Sequence, residues 1–190
     1  AIDPATPVLF LDTGKLFAET LTYRDTLIDR LGLRDVRTIT PAAHEVEALD
    51  PADDLHRRAP DQCCFIRKVA PLDRAIGGFD VWITGRKAFH STGRAGLSAI
   101  EAGEGRIKIN PLLGWGPTEI DAYMDRHALP SHPLLSEGFL SIGCAPCTDR
   151  ICEGEDPRAG RWRGRGKTEC GIHGPRETSG TGPSLGGEGS

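Results

Sequence analysis

The sequence contains no run of 18 apolar residues, so no membrane-spanning helix is expected. Ala1 to Pro7 carry no basic segment and no long apolar stretch, which leaves no visible secretory signal. There is no internal repeat and no heptad pattern. Basic residues are not in excess: 23 Lys and Arg against 27 Asp and Glu give a net charge of −4, which argues against a dedicated nucleic-acid binder. A length of 190 residues suits one domain and would cramp a second core. What the chain has in plenty is glycine and proline, 24 and 14 residues, more than a compact domain uses. Much of that excess lies between Gly174 and Ser190, which reads as a disordered tail.

Val8-Leu9-Phe10-Leu11 is a continuous apolar run ending at Asp12-Thr13-Gly14, the pattern of a strand buried on both faces and running into a turn. Leu16, Phe17, Leu21, Leu27, Ile28 and Leu31 recur near helical spacing, and Gly32 closes that helix. Val36 to Thr40 reads as a second strand. His44 to Arg58 is polar and reads as helix, and Gln62 to Ile76 as a helix that Pro71 bends or interrupts. Asp80 to Thr84 and Arg106 to Asn110 are further strands. Pro117 opens a helix with Glu119 and Asp121 in its first turn, at the positive end of the dipole, and that helix stops before Pro130. Strands separated by helices predict an α/β fold with a mainly parallel sheet. A central strand so close to the start predicts that a strand-loop-helix unit lies ahead of Ala1; in nucleotide-binding folds that unit often carries the phosphate loop.

With no export signal, the six cysteines read as metal ligands or catalytic thiols and not as a disulfide frame. Cys63-Cys64 and, after 79 intervening residues, Cys144-Ala145-Pro146-Cys147 make a four-thiolate set of the kind that selects zinc or an iron–sulfur cluster. Adjacent residues on a helix point about 100° apart, which suits the separate corners of a cubane better than one small ion. The spacing therefore favours a cluster, with zinc, a vicinal disulfide and unligated buried thiols left open. Cys152 has no partner at ligand spacing. Cys170 follows a stretch holding Arg158, Arg161, Arg163, Arg165 and Lys167 and no acid. Such a field lowers a thiol pKa and attracts an anionic substrate. A solvated linker with a bystander thiol is the competing reading, as is an RNA-binding strip, for which Trp162 is the single interleaved aromatic.

The motifs, in chain order, are Leu11-Asp12-Thr13-Gly14-Lys15-Leu16-Phe17; Cys63-Cys64 followed by Arg67-Lys68 and Pro71-Leu72; Ile83-Thr84-Gly85; Lys108-Ile109-Asn110-Pro111-Leu112; Ser141-Ile142-Gly143-Cys144-Ala145-Pro146-Cys147-Thr148; and Glu169-Cys170-Gly171-Ile172-His173. Together they resemble the assimilatory sulfonucleotide reductases, over roughly residues 5 to 173. The double cysteine with the CxxC pair marks the branch that carries a [4Fe-4S] cluster and reduces adenosine 5′-phosphosulfate (APS). The branch without them uses the 3′-phosphorylated substrate, PAPS.

The resemblance implies a Rossmann-like adenine-nucleotide α-hydrolase (PP-loop) fold. Residues 1–153 would form a nucleotide- and cluster-binding domain incomplete at its N-terminus, residues 154–173 a mobile catalytic arm, and residues 174–190 the tail. It implies that Cys63, Cys64, Cys144 and Cys147 hold the cluster and that Cys170 is the nucleophile. Cys170 would attack the sulfur of APS, expel AMP, and pass through a Cys S-sulfonate that thioredoxin, or a glutaredoxin-like reductant, releases as sulfite. Lys68, Arg158 and Arg161 match sulfonate contacts, His173 a substrate contact, and Leu11, Gly85 and Arg94 nucleotide contacts. Leu11 also reads as a core leucine, Lys68 as a surface lysine and His173 as an exposed bystander. Gly160, Gly164, Gly166 and Gly171 would let one thiol visit both substrate and thioredoxin. Two departures stand out. The family's phosphate-binding Ser/Gly loop is not in this chain, and the loop Arg86 to Arg94 holds fewer Arg and Asp than the common form.

The expectation is therefore a cytoplasmic, thioredoxin-dependent APS reductase of sulfate assimilation, with no nucleic-acid or membrane partner and homo-oligomerisation left open. A PAPS reductase that retains a cluster, and a non-catalytic zinc or nucleotide-binding module, are the alternatives.

Overall fold

A computed structural model describes residues 3–90, 96–103 and 105–174. The expected nucleotide contact Arg94, and the tail beyond Gly174, lie outside the described residues.

Strand β1 (Val8–Leu11) pairs in parallel with β2 (Val36–Ile39), Val8 opposite Val36 and Leu11 opposite Ile39. Helix α1 (Ala18–Leu31) connects them. It ends as its sequence requires: Gly32 takes the left-handed conformation (φ 62°), and the Leu33 N–H reaches back to the Ile28 carbonyl at 3.0 Å. The expectation that β1 is buried on both faces is corrected. Val8 is 37% exposed and Leu9 to Leu11 are half-buried, because the strand has one hydrogen-bonded neighbour among the described residues.

The polar stretch from His44 to Arg58 is two helices, α2 (Ala43–Leu49) and α3 (Leu55–Arg58), and not one. Pro51 has no N–H to continue the first, and the buried carboxylate of Asp50 accepts the Leu55 N–H at 2.7 Å, starting the second. Helix α4 (Pro60–Cys64) then runs into a π turn (Phe65–Val69) and on into α5 (Ala70–Ala75), which packs on β1 and β2. Pro71 explains the π turn. It cannot donate to the Arg67 carbonyl four residues back, so the ladder widens and Ala70 donates to Phe65 instead. The helix is thus widened where a bend or break was expected.

The second sheet has the order β3 (Val81–Ile83), β5 (Arg106–Ile109), β4 (Ile100–Gly103). β3 and β5 are parallel, β4 and β5 antiparallel, so two of the three described pairings are parallel. β4 was not legible in the sequence, since Ile100 is its single large apolar residue. The register places Val81, Ile83, Ile100 and Ile107 on one face, where Ile83 and Ile100 are about two-thirds exposed. Beyond β5, buried Asn110 accepts from Thr84 Oγ1 (2.6 Å) and Arg86 Nε (3.1 Å), which pins the loop after β3. Helix α6 (Pro117–Arg126) has Glu119 in its first turn; Asp121 falls one turn further on than expected. No described helix is long and apolar enough to cross a membrane.

Two clusters of buried apolar residues include the cysteines: Cys63 with Leu55 and Ile66, and Cys64 with Cys144, Cys147 and Trp162. Beneath them Arg67 Nη2 meets Asp50 Oδ2 at 2.8 Å, with the Asp50 carboxylate wholly inaccessible. Burial alone would push Asp50 up, but hydrogen bonds from Arg67 and the Leu55 N–H outweigh it and hold the carboxyl below its ordinary value. Removing one partner strands a buried charge. Asp50→Ala should therefore cost about 3–5 kcal/mol in urea denaturation. In the native protein the pair's contribution should be present above pH ~4, the unfolded carboxylate value, and be lost as pH falls through the lower native value.

Candidate functional site

Helix α4 and a one-turn 3-10 helix (Ala145–Cys147) bring the two cysteine pairs together, with residues 12–16 between them. The Ala145 N–H donates to the Lys15 carbonyl at 2.8 Å, Leu16 bridges to Cys144, and Thr13 Oγ1 shares a 3.2 Å hydrogen bond with Cys144 Sγ. Cys63, Cys64, Cys144 and Cys147 are each 6–8% exposed and line one cavity with His56, Arg67, Lys68 and Trp162. Its free space is about 10 Å³, the room of one water. All six cysteines are unpaired, so the vicinal disulfide is not formed. Among the described residues, no three His, Cys, Asp or Glu side chains close on a single metal ion. His56 Nδ1, Arg67 Nε and Trp162 Nε1 are buried without an acceptor. Arg165 Nη1 donates to Cys147 Sγ at 3.6 Å.

Burial pushes the Cys64 thiol up to about 11, and raises Cys63 and Cys147 as well. Lys68 stands on the π turn. Burial pulls its ammonium down, but attraction to the Cys144, Cys170 and Cys64 sulfurs outweighs this and the net shift is upward. Lys68 therefore couples electrostatically to both cysteine pairs and to Cys170, which is half-buried and packs against the core of Cys64, Cys144, Cys147 and Trp162.

The segment leading to Cys170 is anchored at its root. Arg161 bridges to Thr148, and the Asp149 N–H donates to the Gly160 carbonyl at 2.9 Å. A Cβ at Gly160 would collide with the Asp149 carbonyl, and one at Gly143 with the Arg161 guanidinium. Gly160, read as part of a mobile arm, is instead a close-packing position. Trp162, 2% exposed, is held in the left-handed region (φ 47°) with the Arg161 guanidinium 4.3 Å from its ring centroid.

The five basic residues divide. Arg158 and Arg161 line a cavity of about 470 Å³. Burial first, then the charge of Arg158, pulls Arg161 below the ordinary guanidinium value. Arg163 also borders that cavity but pairs with Glu155 at 2.8 Å and holds that carboxyl down at about 2. Lys167 borders the cavity too and pairs with Asp61, whereas Arg165 faces Cys147. Cys170 and His173 line a second cavity, about 260 Å³, with Arg86 and Leu97. His173 is half-buried with its ring 5.5 Å from Trp82. Leu11 and Gly85 stand at the carboxyl ends of β1 and β3, where parallel sheets bind ligands. Sequence reasoning gave no role to Thr13, Asp50 or Trp82, and gave Arg165 only a share in the basic field before Cys170. Thr13 lay inside a quoted motif, while the others depend on contacts distant in the chain.

The family model described as the phosphoadenosine phosphosulfate reductase domain matches residues 1–150. A Mesorhizobium japonicum protein named adenosine 5′-phosphosulfate reductase is 49% identical over 172 residues, covering 90% of this chain and 68% of its own length. The chain belongs to the adenosine 5′-phosphosulfate reductase family. A relative of the same name from a Chelativorans species is 47% identical over 175 residues, 92% of this chain and 71% of its own. The crystal structure of a phosphoadenylyl-sulfate reductase from Candida auris, a phosphate complex, superposes with a TM-score of 0.63 at 28% identity, covering 77% of this chain and 73% of that one. The Rossmann-like PP-loop fold expected from the sequence agrees with that neighbour.

The burial pattern orders the thiols of this reductase by reactivity. In metal-free protein at about pH 8, a short pulse of iodoacetamide should label exposed Cys152 and half-buried Cys170 before any of the four cavity cysteines. Labelling at Cys64 should climb as pH approaches its value of about 11. Peptide mass spectrometry reads both.

Proposed function

We propose that this chain reduces APS to sulfite and AMP through Cys170, with Cys63, Cys64, Cys144 and Cys147 holding a [4Fe-4S] cluster. The observation that carries the reading is the position of Cys170 against the buried cysteine core, with Lys68 drawn electrostatically to Cys144, Cys170 and Cys64 together. Relatives named for APS support the choice of substrate.

The donor set fits a cluster better than zinc. Adjacent cysteines on a helix suit the separate corners of a cluster better than one small ion. The buried, unsatisfied N–H groups of Arg67 and Trp162 call for acceptor atoms, which the sulfurs of a bound cluster would add. Seating it takes rotation of the four short side chains away from the cavity centre. When bound, the cluster supplies fixed negative charge opposite Lys68; the two electrons of the reaction come from thiols.

The Cys170 thiolate attacks the sulfur of APS, a new S–S bond forms, and the bond from that sulfur to the phosphate oxygen breaks to release AMP. One thiolate of thioredoxin then attacks Cys170 Sγ and sulfite leaves with the electron pair of the S–S bond. The second thioredoxin thiol resolves the mixed disulfide and restores Cys170. Arg158 and Arg161 would clamp the sulfate oxygens, with Lys68 and His173 beside them, and Leu11, Gly85 and Arg94 would border the nucleotide. Residues 154–173 act as the catalytic arm. Six unpaired cysteines support a reducing, cytoplasmic setting.

The test is sulfite release with thioredoxin, APS against PAPS, in protein of the same length as the relatives. Without thioredoxin, APS should add roughly 80 Da, one SO₃ group, to the Cys170 peptide, and thioredoxin should remove it. Mass on Cys152 instead, or turnover in Cys170→Ser, would overturn the mechanism. Cys64→Ser and Cys147→Ser should lose iron and the brown absorbance at about 400 nm, whereas Cys152→Ser keeps both.

A further inference from the structure

The two residues that precede Cys170 are both held by Arg158. Its Nη2 donates to the Thr168 carbonyl at 2.7 Å and lies 3.4 Å from Oε2 of Glu169. The two attachments differ in strength. The first is a short bond to a neutral backbone oxygen. The second is a longer ion pair in which the carboxylate side chain is 40% exposed and the guanidinium 15%. The longer distance and the solvent-facing carboxylate make the ion pair the weaker of the two attachments, the one that another anion can replace. Arg158 and Arg161 line the same cavity, and the charge of Arg158 disfavours that of Arg161, so an anion on Arg158 eases the repulsion between them.

We propose that Glu169 is a built-in stand-in for the substrate's sulfate group. In the free protein its carboxylate occupies Arg158, and the arriving sulfate oxyanion takes its place. The proposal rests on the reading above that Arg158 binds the sulfate. The exchange is of like for like, one singly charged oxyanion for another. It leaves the bond from Arg158 to the Thr168 carbonyl intact, so the backbone next to Cys170 stays positioned while the Glu169 side chain swings out. It also moves one negative charge away from the nucleophilic thiol just as another arrives. Glu169 is thus a positioning residue that sets the substrate concentration at which the arm commits.

The test is Glu169→Gln, which keeps shape and removes charge. With no carboxylate to displace, KM for APS should fall about two- to fivefold, the range an exposed ion pair commands, with kcat little changed. If Glu169 only shapes the arm, kcat should fall or KM should rise, and the proposal is overturned. A second measurement needs no turnover. Iodoacetamide labelling of Cys170 in APS-free protein should be faster in Glu169→Gln than in the wild type. Sodium sulfate should accelerate the wild type relative to sodium chloride of equal ionic strength, and leave the variant unchanged. Equal labelling of the two proteins, or equal acceleration of both by sulfate, defeats the stand-in role. Absence of sulfite release from both proteins would instead count against the proposed reaction, with labelling still deciding the role of Glu169.

Discussion

Arg67 sits four residues after Cys63, on the π turn that Pro71 forces, and three separate stretches of chain meet at its guanidinium. Nη2 binds Asp50 at 2.8 Å and Asp53 at 3.0 Å, and Nη1 donates to the Thr13 carbonyl at 3.0 Å. The other oxygen of Asp50 starts helix α3. The hydroxyl of Thr13 in turn reaches Cys144. The double cysteine and the CxxC pair are therefore set relative to one another through Arg67 and Thr13, although 79 residues separate them in the chain. A buried ion pair is a poor source of net stability but an exacting source of geometry, since either charge left alone in the interior is costly. That suits a place where four thiols must face one small space.

Thiols crowded in such a space resist ionisation, and the basic residues around them are distributed accordingly. Arg67 acts on Cys63, Lys68 on Cys64 and Cys144, and Arg165 on Cys147. Each thiol that would ligate a cluster has a cation at hand before any cluster is bound, which is what thiolate ligation requires. The run from Arg158 to Lys167 looked uniform in sequence. In the fold, Arg158, Arg161, Arg163 and Lys167 line one cavity, where Arg158, Arg163 and Lys167 are paired with Glu169, Glu155 and Asp61, and Arg165 is turned to Cys147. A strip for nucleic acid would present these charges along one solvated surface. Here they are divided among separate local partners, which weighs against that reading.

Features governed by local chemistry were readable. The cap at Gly32, the start of α6 at Pro117 and the break between β1 and α1 each depend on residues within one turn. The convergence of the four cysteines on one cavity was readable because two close pairs of thiols read as a single site. The features missed depend on distant partners. His44 to Arg58 has helical composition throughout, and what divides it is Asp50, whose carboxylate is committed to Arg67 and Leu55. Pro71 announced a disturbance, but its form as a π turn follows from the helix continuing on both sides under tertiary packing. Gly160 has the composition of a hinge. Its missing side chain is used for close approach to Asp149, which no local pattern reveals. Strand β4, with one large apolar residue, is defined by its pairing with β5 and not by its own periodicity.

The segment carrying Cys170 is held unequally along its length. At the root, the backbone pairs with residues 148 and 149, and Trp162 is fully buried against Cys64, Cys144 and Cys147. Withdrawing a buried indole from such a core costs several kcal/mol, about 3–5 by analogy with truncating one. At the tip, the attachments include the Arg158 bond to the Thr168 carbonyl, the ion pairs of Lys167 with Asp61 and Arg158 with Glu169, and His173 on Trp82. Exposed ion pairs contribute at most about 1 kcal/mol each. By these magnitudes the ion pairs at the tip are weaker attachments than the buried indole at the root, with Gly164 and Gly166 as the left-handed turns between them (φ 74° and 63°). Such a division would suit the proposed reaction, in which one thiol meets a small anionic nucleotide and then a protein dithiol: the root would keep the wall of the cysteine cavity closed while the few residues around Cys170 change partners.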